Sequence, residues 1–236
     1  VYDSNIDVMK EAVDAVKEAE VDAIISFDFS AIEYARSKGV EVHISTQHSI
    51  SNIEAVKFFS QWSDRVVLAR ELTLEQIDQI IDEIKVQNVR GPKGRLVEIE
   101  VFVHGAMCVA VSGRCGMSLY MYNTSANCGA CSQPCRRAYT VKDRGTGKEL
   151  DIENEYVMST QDLCTIGMID EIMDSGVVSL KIEGRGRAPE YVDEVIGCYR
   201  EAIESVKGGE YNRDKVKNWN ERLGTVYNRK MSEGFY

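Results

Sequence analysis

Five cysteines crowd into one short part of this 236-residue chain: Cys108, Cys115, Cys128, Cys131 and Cys135. The spacing is Cys108-x6-Cys115-x12-Cys128-x2-Cys131-x3-Cys135. Clustered thiols of this kind bind metal or do redox chemistry. One short Cys-x2-Cys knuckle with irregular gaps suits an iron–sulfur cluster better than structural zinc, which typically shows two such knuckles. Zinc and unliganded thiols are the alternatives. Five thiols compete for four positions, so one is spare. The same stretch carries an unusual charge pattern. From Val101 to Lys142 there is no Asp or Glu, whereas Arg114, Arg136, Arg137 and Lys142 lie within it, with Arg144 and Lys148 just beyond. Positive side chains lower thiolate pKa values, offset a cluster's negative charge and can meet phosphate. A solvated basic loop is the plainer reading.

A second set of polar residues emerges from strand-like alternation. In Glu41–Thr46, Val42 and Ile44 share one face; His43 and Ser45 share the other, continued by Gln47. In Val97–His104, Val97, Ile99, Val101 and Val103 oppose Glu98, Glu100, Phe102 and His104. In Ser179–Arg185, Leu180 and Ile182 oppose Lys181, Glu183 and Arg185. A parallel sheet normally buries both faces, so these polar faces line an interior in which charges need partners or a polar ligand. The C-terminal strand ends carry Ser45, Gln47, Arg70, Glu71, His104, Glu183 and Arg185. A buried salt-bridge network, such as Lys181 with Glu100 or Glu98, would serve folding alone.

The elements that position these residues alternate. The pattern predicts a helix over residues 3–19 after an Asp3/Ser4 cap, then a strand at 22–27, a helix at 31–38 and a strand at 41–46. A helix at 52–62, a strand at 65–69 and a helix opened by the Thr73-Leu-Glu-Gln76 capping box follow. A long strand covers 96–104. Residues 105–158 are rich in Gly, Ser, Asn and Cys and read as loop. A helix over 161–174, a strand at 177–183 and a helix from Pro189 complete the pattern, with a polar-aromatic tail at 211–236. About five parallel strands in βα units imply an α/β fold. A closed (β/α)8 barrel needs eight strands, and no glycine-rich phosphate loop supports a Rossmann sheet.

The motifs Glu100-Val-Phe-Val-His-Gly-Ala-Met-Cys108, Ser112-Gly-Arg-Cys115-Gly-Met-Ser118 and Asn127-Cys-Gly-Ala-Cys131-Ser-Gln-Pro-Cys135-Arg resemble the signature of the U32 peptidase family. So do Ser45-Thr-Gln47, Leu68-Ala-Arg-Glu71 and Ser179-Leu-Lys-Ile-Glu-Gly-Arg185. The resemblance implies a TIM-barrel-like domain that is incomplete here. About three further strands would precede Val1, which fits the absence of an initial Met and the count of five. Residues 1–104 would be a partial β/α barrel, 105–158 a cluster-binding insertion, 159–210 the final β/α unit and 211–236 a tail. The resemblance further implies a 4Fe-4S cluster on Cys108, Cys115, Cys131 and Cys135. Cys128 stands where the family usually has a basic residue.

Family members include collagenase-like proteases and oxygen-independent hydroxylation proteins acting on tRNA uridine, ribosomal RNA cytidine or the ubiquinone ring, with prephenate implicated as oxygen donor. The Gly-Ala-Cys131 arrangement resembles the RNA-modifying branch. On that reading the partners are tRNA or rRNA and a small dicarboxylate such as prephenate. Gln47, Arg70, Arg114, Lys181, Glu183 and Arg185 would bind substrate, and His104, Glu100 or His43 would move protons. A peptidase finds less support, because the chain has no His-Glu-x-x-His and no Gly-x-Ser-x-Gly motif; a Cys108/His104 pair would be its nucleophile and base. A non-catalytic cluster-binding subunit of a hetero- or homodimer is the third reading. Composition sets the outer limits. With 44% hydrophobic and 28% charged residues the chain is globular. A net charge of −10 makes it a poor non-specific nucleic-acid binder outside the acid-free stretch. No apolar run approaches a membrane span and no signal pattern is seen, so a cytoplasmic, membrane-free setting is expected.

Overall fold

The computed structural model describes residues 1–149 and 157–236. It has an α/β fold built on a mixed, mostly parallel sheet of seven strands. The first half alternates strictly: helix α1 (Ile6–Glu18), strand β1 (Ala23–Ser26), α2 (Phe29–Ser37), β2 (Glu41–Ile44), α3 (Ile53–Phe59), β3 (Arg65–Val67) and α4 (Leu74–Val86). The long β4 (Glu98–Ala106) leads into the cysteine-rich segment, which holds the short α5 (Met117–Tyr122). Then come β5 (Asp162–Cys164), α6 (Ile169–Asp174), β6 (Ser179–Glu183), α7 (Pro189–Lys207), α8 (Arg213–Thr225) and β7 (Met231–Ser232).

Local chemistry starts most of these helices where expected. Asp28 caps α2 by accepting from the backbone N–H groups of Ser30 (2.9 Å) and Ala31 (3.3 Å). Asn52 caps α3 through Ala55 N–H at 2.9 Å. Thr73 and Gln76 form the full reciprocal capping box at α4. The first helix departs from expectation. A 3-10 turn over Asp3–Asn5 precedes α1, and Asn5, at the cap position, makes no side-chain cap bond.

Strands β1, β2, β3, β4 and β6 pair side by side and in parallel. Their apolar residues, among them Val42, Ile44, Val66, Ile99, Val101 and Val103, share one core with residues of α1–α4 and α6–α8. Sequential strand order with one helix-covered face is unlike a doubly wound sheet, which reverses at a switch point and carries helices on both faces.

Two strands were not expected. The periodicity predicts a helix over 161–174, but only Ile169–Asp174 is α-helical; Asp162–Cys164 forms β5, antiparallel to the end of β4. The tail, left unassigned above, supplies α8 and β7, and β7 pairs with β5. Trp219 and Leu223 of α8 are buried in the core, so the tail is packed into the fold. The end of the expected 105–158 insertion, residues 150–156, lies outside the described residues. No helix among the described residues is long and apolar enough to cross a membrane.

Candidate functional site

Across the sheet from the helices, side chains of β2, β3, β4 and β6 meet on a polar face. Glu100 is buried, and its two carboxylate oxygens are both engaged: Lys181 Nζ donates to one at 2.7 Å and Ser179 Oγ to the other at 3.0 Å. The expected Glu100–Lys181 partnership therefore exists, while Glu98 pairs instead with Arg65 at 2.6 Å. Two cations lie over the Phe102 ring, Arg70 4.7 Å and Lys181 5.6 Å from its centroid. The ring's quadrupole attracts each of them. His43 is half-buried in this neighbourhood. Burial pushes its pKa below the usual histidine value, the charge of Arg65 adds to that, and Glu100 and Glu41 oppose it.

His104 is the main correction. Straight alternation places it beside Glu100, on the polar face. The β4–β6 register shifts between Phe102, opposite Lys181, and His104, opposite Ile182, leaving Val103 as an extra residue. This β-bulge turns His104 to the helix side. There its ring packs against Tyr191 (6.0 Å) and Tyr199 (5.5 Å), with Nδ1 3.4 Å from the Tyr199 hydroxyl. Burial pushes its pKa down to about 4. His104 does not share the Glu100–Lys181–His43 neighbourhood.

The remaining predicted residues divide into two groups. Arg70, Glu71 and Arg185 reach the cysteine-rich segment: Arg70 donates to Ala106 O (3.2 Å), Arg185 to Gly129 O (3.2 Å), and Glu71 accepts from Ser112 N–H (2.6 Å). Glu183 accepts from Arg185 N–H at 3.0 Å. Arg114 lies over Phe27, 5.8 Å from its ring centroid, and is exposed. Gln47 sits half-buried in the 3-10 turn Thr46–His48 that follows β2.

All seven thiols are free. Burial raises the pKa of Cys135, Arg136 opposes that, and Cys108, Cys131 and Cys115 are the further charges that act on it. Backbone N–H groups point at two of the sulfurs, from Ala110 to Cys108 Sγ (3.4 Å) and from Met117 to Cys115 Sγ (3.4 Å). Ser118 Oγ donates to Cys131 Sγ at 3.9 Å and accepts from Ser132 N–H at 3.0 Å. Donors aimed at sulfur suit thiolates that carry a cluster, because hydrogen bonds to sulfur help to set its potential. As they stand, the described His, Cys, Asp and Glu side chains do not close into any group of three or more that would hold a metal ion. Thiolates with such donors are of the type that an iron–sulfur cluster takes, but in this arrangement they are not gathered around one point.

Sequence reasoning missed the support behind this segment. Arg136 donates to Met107 O, to Thr160 O (2.9 Å) and to Ser159 Oγ (3.0 Å), tying the residue before Cys108 to the residue after Cys135. Asp162, buried at the start of β5, accepts from Arg187 (3.3 Å) and from Arg229 in the tail (3.0 Å). No local pattern marks Asp162, because its partners are separated from it by 25 and 67 residues.

Comparison with known proteins places the whole chain. The family model described as Peptidase family U32 matches residues 1–236. The chain belongs to peptidase family U32. Among curated U32 relatives, a Porphyromonas gingivalis protein named collagenase is 52% identical over all of this chain and 57% of its own length. The tRNA hydroxylation protein P1 of Bacillus subtilis is 35% identical over all of this chain and 55% of its own. The Escherichia coli 23S rRNA 5-hydroxycytidine C2501 synthase is 34% identical over 87% of this chain and 29% of its own. This U32 chain therefore spans little more than half the length of the first two. No solved structure matches it significantly.

Proposed function

We propose that this chain is the cluster-bearing part of an oxygen-independent RNA hydroxylation enzyme, acting on tRNA uridine with prephenate or a similar dicarboxylate as donor. The observation that carries the reading is the meeting of two features at the end of β4: the cysteine-rich segment and a polar sheet face with cations at Arg70 and Lys181. The names of the tRNA- and rRNA-hydroxylating relatives support the RNA substrate.

In this mechanism Cys108, Cys115, Cys131 and Cys135 would hold a 4Fe-4S cluster, with zinc as the alternative occupant. When bound, the cluster supplies one-electron transfer. The chain's own residues do the rest. Arg70 and Lys181 attract the donor's carboxylates, and Phe102 gives its ring a flat apolar wall. Glu100 holds Lys181 in place. His43, neutral at pH 7 because burial disfavours its charge, accepts a proton. The basic, acid-free stretch with Arg114 and Arg137 meets RNA phosphates. The five parallel strands form a sector of a TIM-like barrel whose polar face is the barrel interior, in a cytoplasmic protein able to act as a homo- or heterodimer. Mass spectrometry of 5-hydroxyuridine in tRNA, from cells with the gene, without it and with Cys115→Ala, tests the proposal. The modification should vanish in the last two; an unchanged level refutes it.

Peptide hydrolysis is the second reading, favoured by the greater identity to relatives named collagenase. The geometry offers it less. Among the described residues no serine or cysteine hydrogen-bonds a histidine, and His104 faces the helices. Gelatin cleavage by contaminant-free protein, abolished by Cys108→Ala, would establish it.

A further inference from the structure

Between Cys108 and Cys115 the chain reverses through two consecutive left-handed residues, Ser112 (φ 46°) and Gly113 (φ 75°). Glycine adopts this conformation freely, but serine is strained by it. Ser112 is also fully buried. Something must hold it there, and the structure offers one ionised group. The Glu71 carboxylate, delivered by the segment just after β3, accepts from Ser112 N–H at 2.6 Å and from Ser112 Oγ at 3.2 Å. Its neighbour Arg70 grips the other flank of Cys108 at Ala106 O, and a Cβ on Gly113 would stand 3.3 Å from the Arg70 guanidinium. Two adjacent side chains of opposite charge thus fix both sides of the first thiol. The two carboxylate oxygens of Glu71 take both Ser112 donors, and the segment from Val101 to Lys142 has no acid of its own to supply such acceptors.

We propose that Glu71 is a positioning residue for the Cys108/Cys115 pair: its carboxylate holds the left-handed turn at Ser112–Gly113 and so fixes how those two sulfurs stand relative to one another. The inference rests on the cluster reading above only for the use made of the sulfurs; the positioning itself is testable without any cluster.

The test is site-resolved alkylation of the reduced, metal-free protein by iodoacetamide, read by mass spectrometry. Wild type is compared with Glu71→Ala, Glu71→Asp and Glu71→Gln, and exposed Cys128 is the internal reference. Glu71→Ala and Glu71→Asp should each change labelling of Cys108 and Cys115 several-fold relative to Cys128, because neither side chain reaches Ser112. Glu71→Gln should stay close to wild type, since its amide oxygen still accepts from Ser112 N–H. Unchanged ratios in Ala and Asp overturn the proposal. So does a reversed order, with Asp like wild type and Gln like Ala, which would make charge rather than placement the cause. Should Glu71→Ala not fold by circular dichroism, the Asp and Gln variants still decide. Iron and sulfide content after anaerobic reconstitution is the second readout, expected to fall in Ala and Asp and to hold in Gln. Absence of iron from every variant would count against the cluster and leave the labelling result standing.

Discussion

At the scale of single residues, titratable groups held where water is scarce have measurable consequences. His104 enters the fold with its pKa lowered to about 4 from an ordinary value near 6.5. The unfolded chain therefore binds a proton that the native state refuses between those two values. Stability is complete above about pH 6.5 and declines as pH falls towards 4, by up to about 3 kcal/mol from this residue. Urea unfolding of wild type and His104→Phe at pH 7 and pH 4.5 should show a smaller acid loss in the variant. Glu100 and Lys181 make a different case. Lys181→Met strands a buried carboxylate and should cost about 3 kcal/mol, whereas Lys181→Met with Glu100→Leu should recover much of it. If the pair also serves chemistry, the double variant regains stability without regaining 5-hydroxyuridine. The partnership itself was legible, because alternation put Lys181 and Glu100 on polar faces of strands. The direction of His104 was not. A two-residue period carries through 97–104 unbroken, and the extra residue at Val103 is fixed by pairing with β6, about 80 residues away in sequence.

Among elements, those with local causes were readable and those made by distant pairing were not. The Thr73–Gln76 box is a local device, and it is present as read. Thr73→Ala should remove about 1 kcal/mol, lowering the melting temperature by about 2–4 °C in a calorimetric scan. β5 shows the opposite. Leu163, Ile166, Ile169 and Ile172 recur every three residues, which imitates a helix face. Yet Asp162–Cys164 is buried along its whole length between β4 and β7, and no three-residue window contains that information. The 3-10 turn ahead of α1 marks a smaller limit: polar residues before a helix suggest a cap without fixing which of them, if any, makes the bond.

For the molecule as a whole, the division of labour between faces is the governing feature. The apolar face gathers residues of seven helices into one core, and the opposite face carries the Glu100–Lys181 pair beside a small apolar cluster of Val67, Phe102, Met107 and Leu163. Five parallel strands were readable from repeated βα units. The tail's contribution was not, because its helix is mostly polar with only Trp219 and Leu223 buried, and its other ties are long-range: Arg229 reaches Asp162 at 3.0 Å, and Tyr236 donates to Phe102 O at 2.7 Å beside the candidate donor site. Deleting residues 211–236 would expose the core that Trp219 and Leu223 cover. The truncated chain should bind the dye ANS and lose cooperative melting, while Arg229→Gln should melt cooperatively at a lower temperature, since Asp162 keeps Arg187.

Gly105 joins these scales. It has φ 111°, and a Cβ built on it would lie 2.5 Å from the Glu183 carbonyl oxygen. Even alanine would prise β6 away from β4 and carry Lys181 from its carboxylate. Engineers seeking to retune this centre can exchange thiols, arginines or aromatic walls one at a time, but the seam on which all of them hang tolerates no added atom. Its freedom to diverge is limited by a residue that has no side chain to offer.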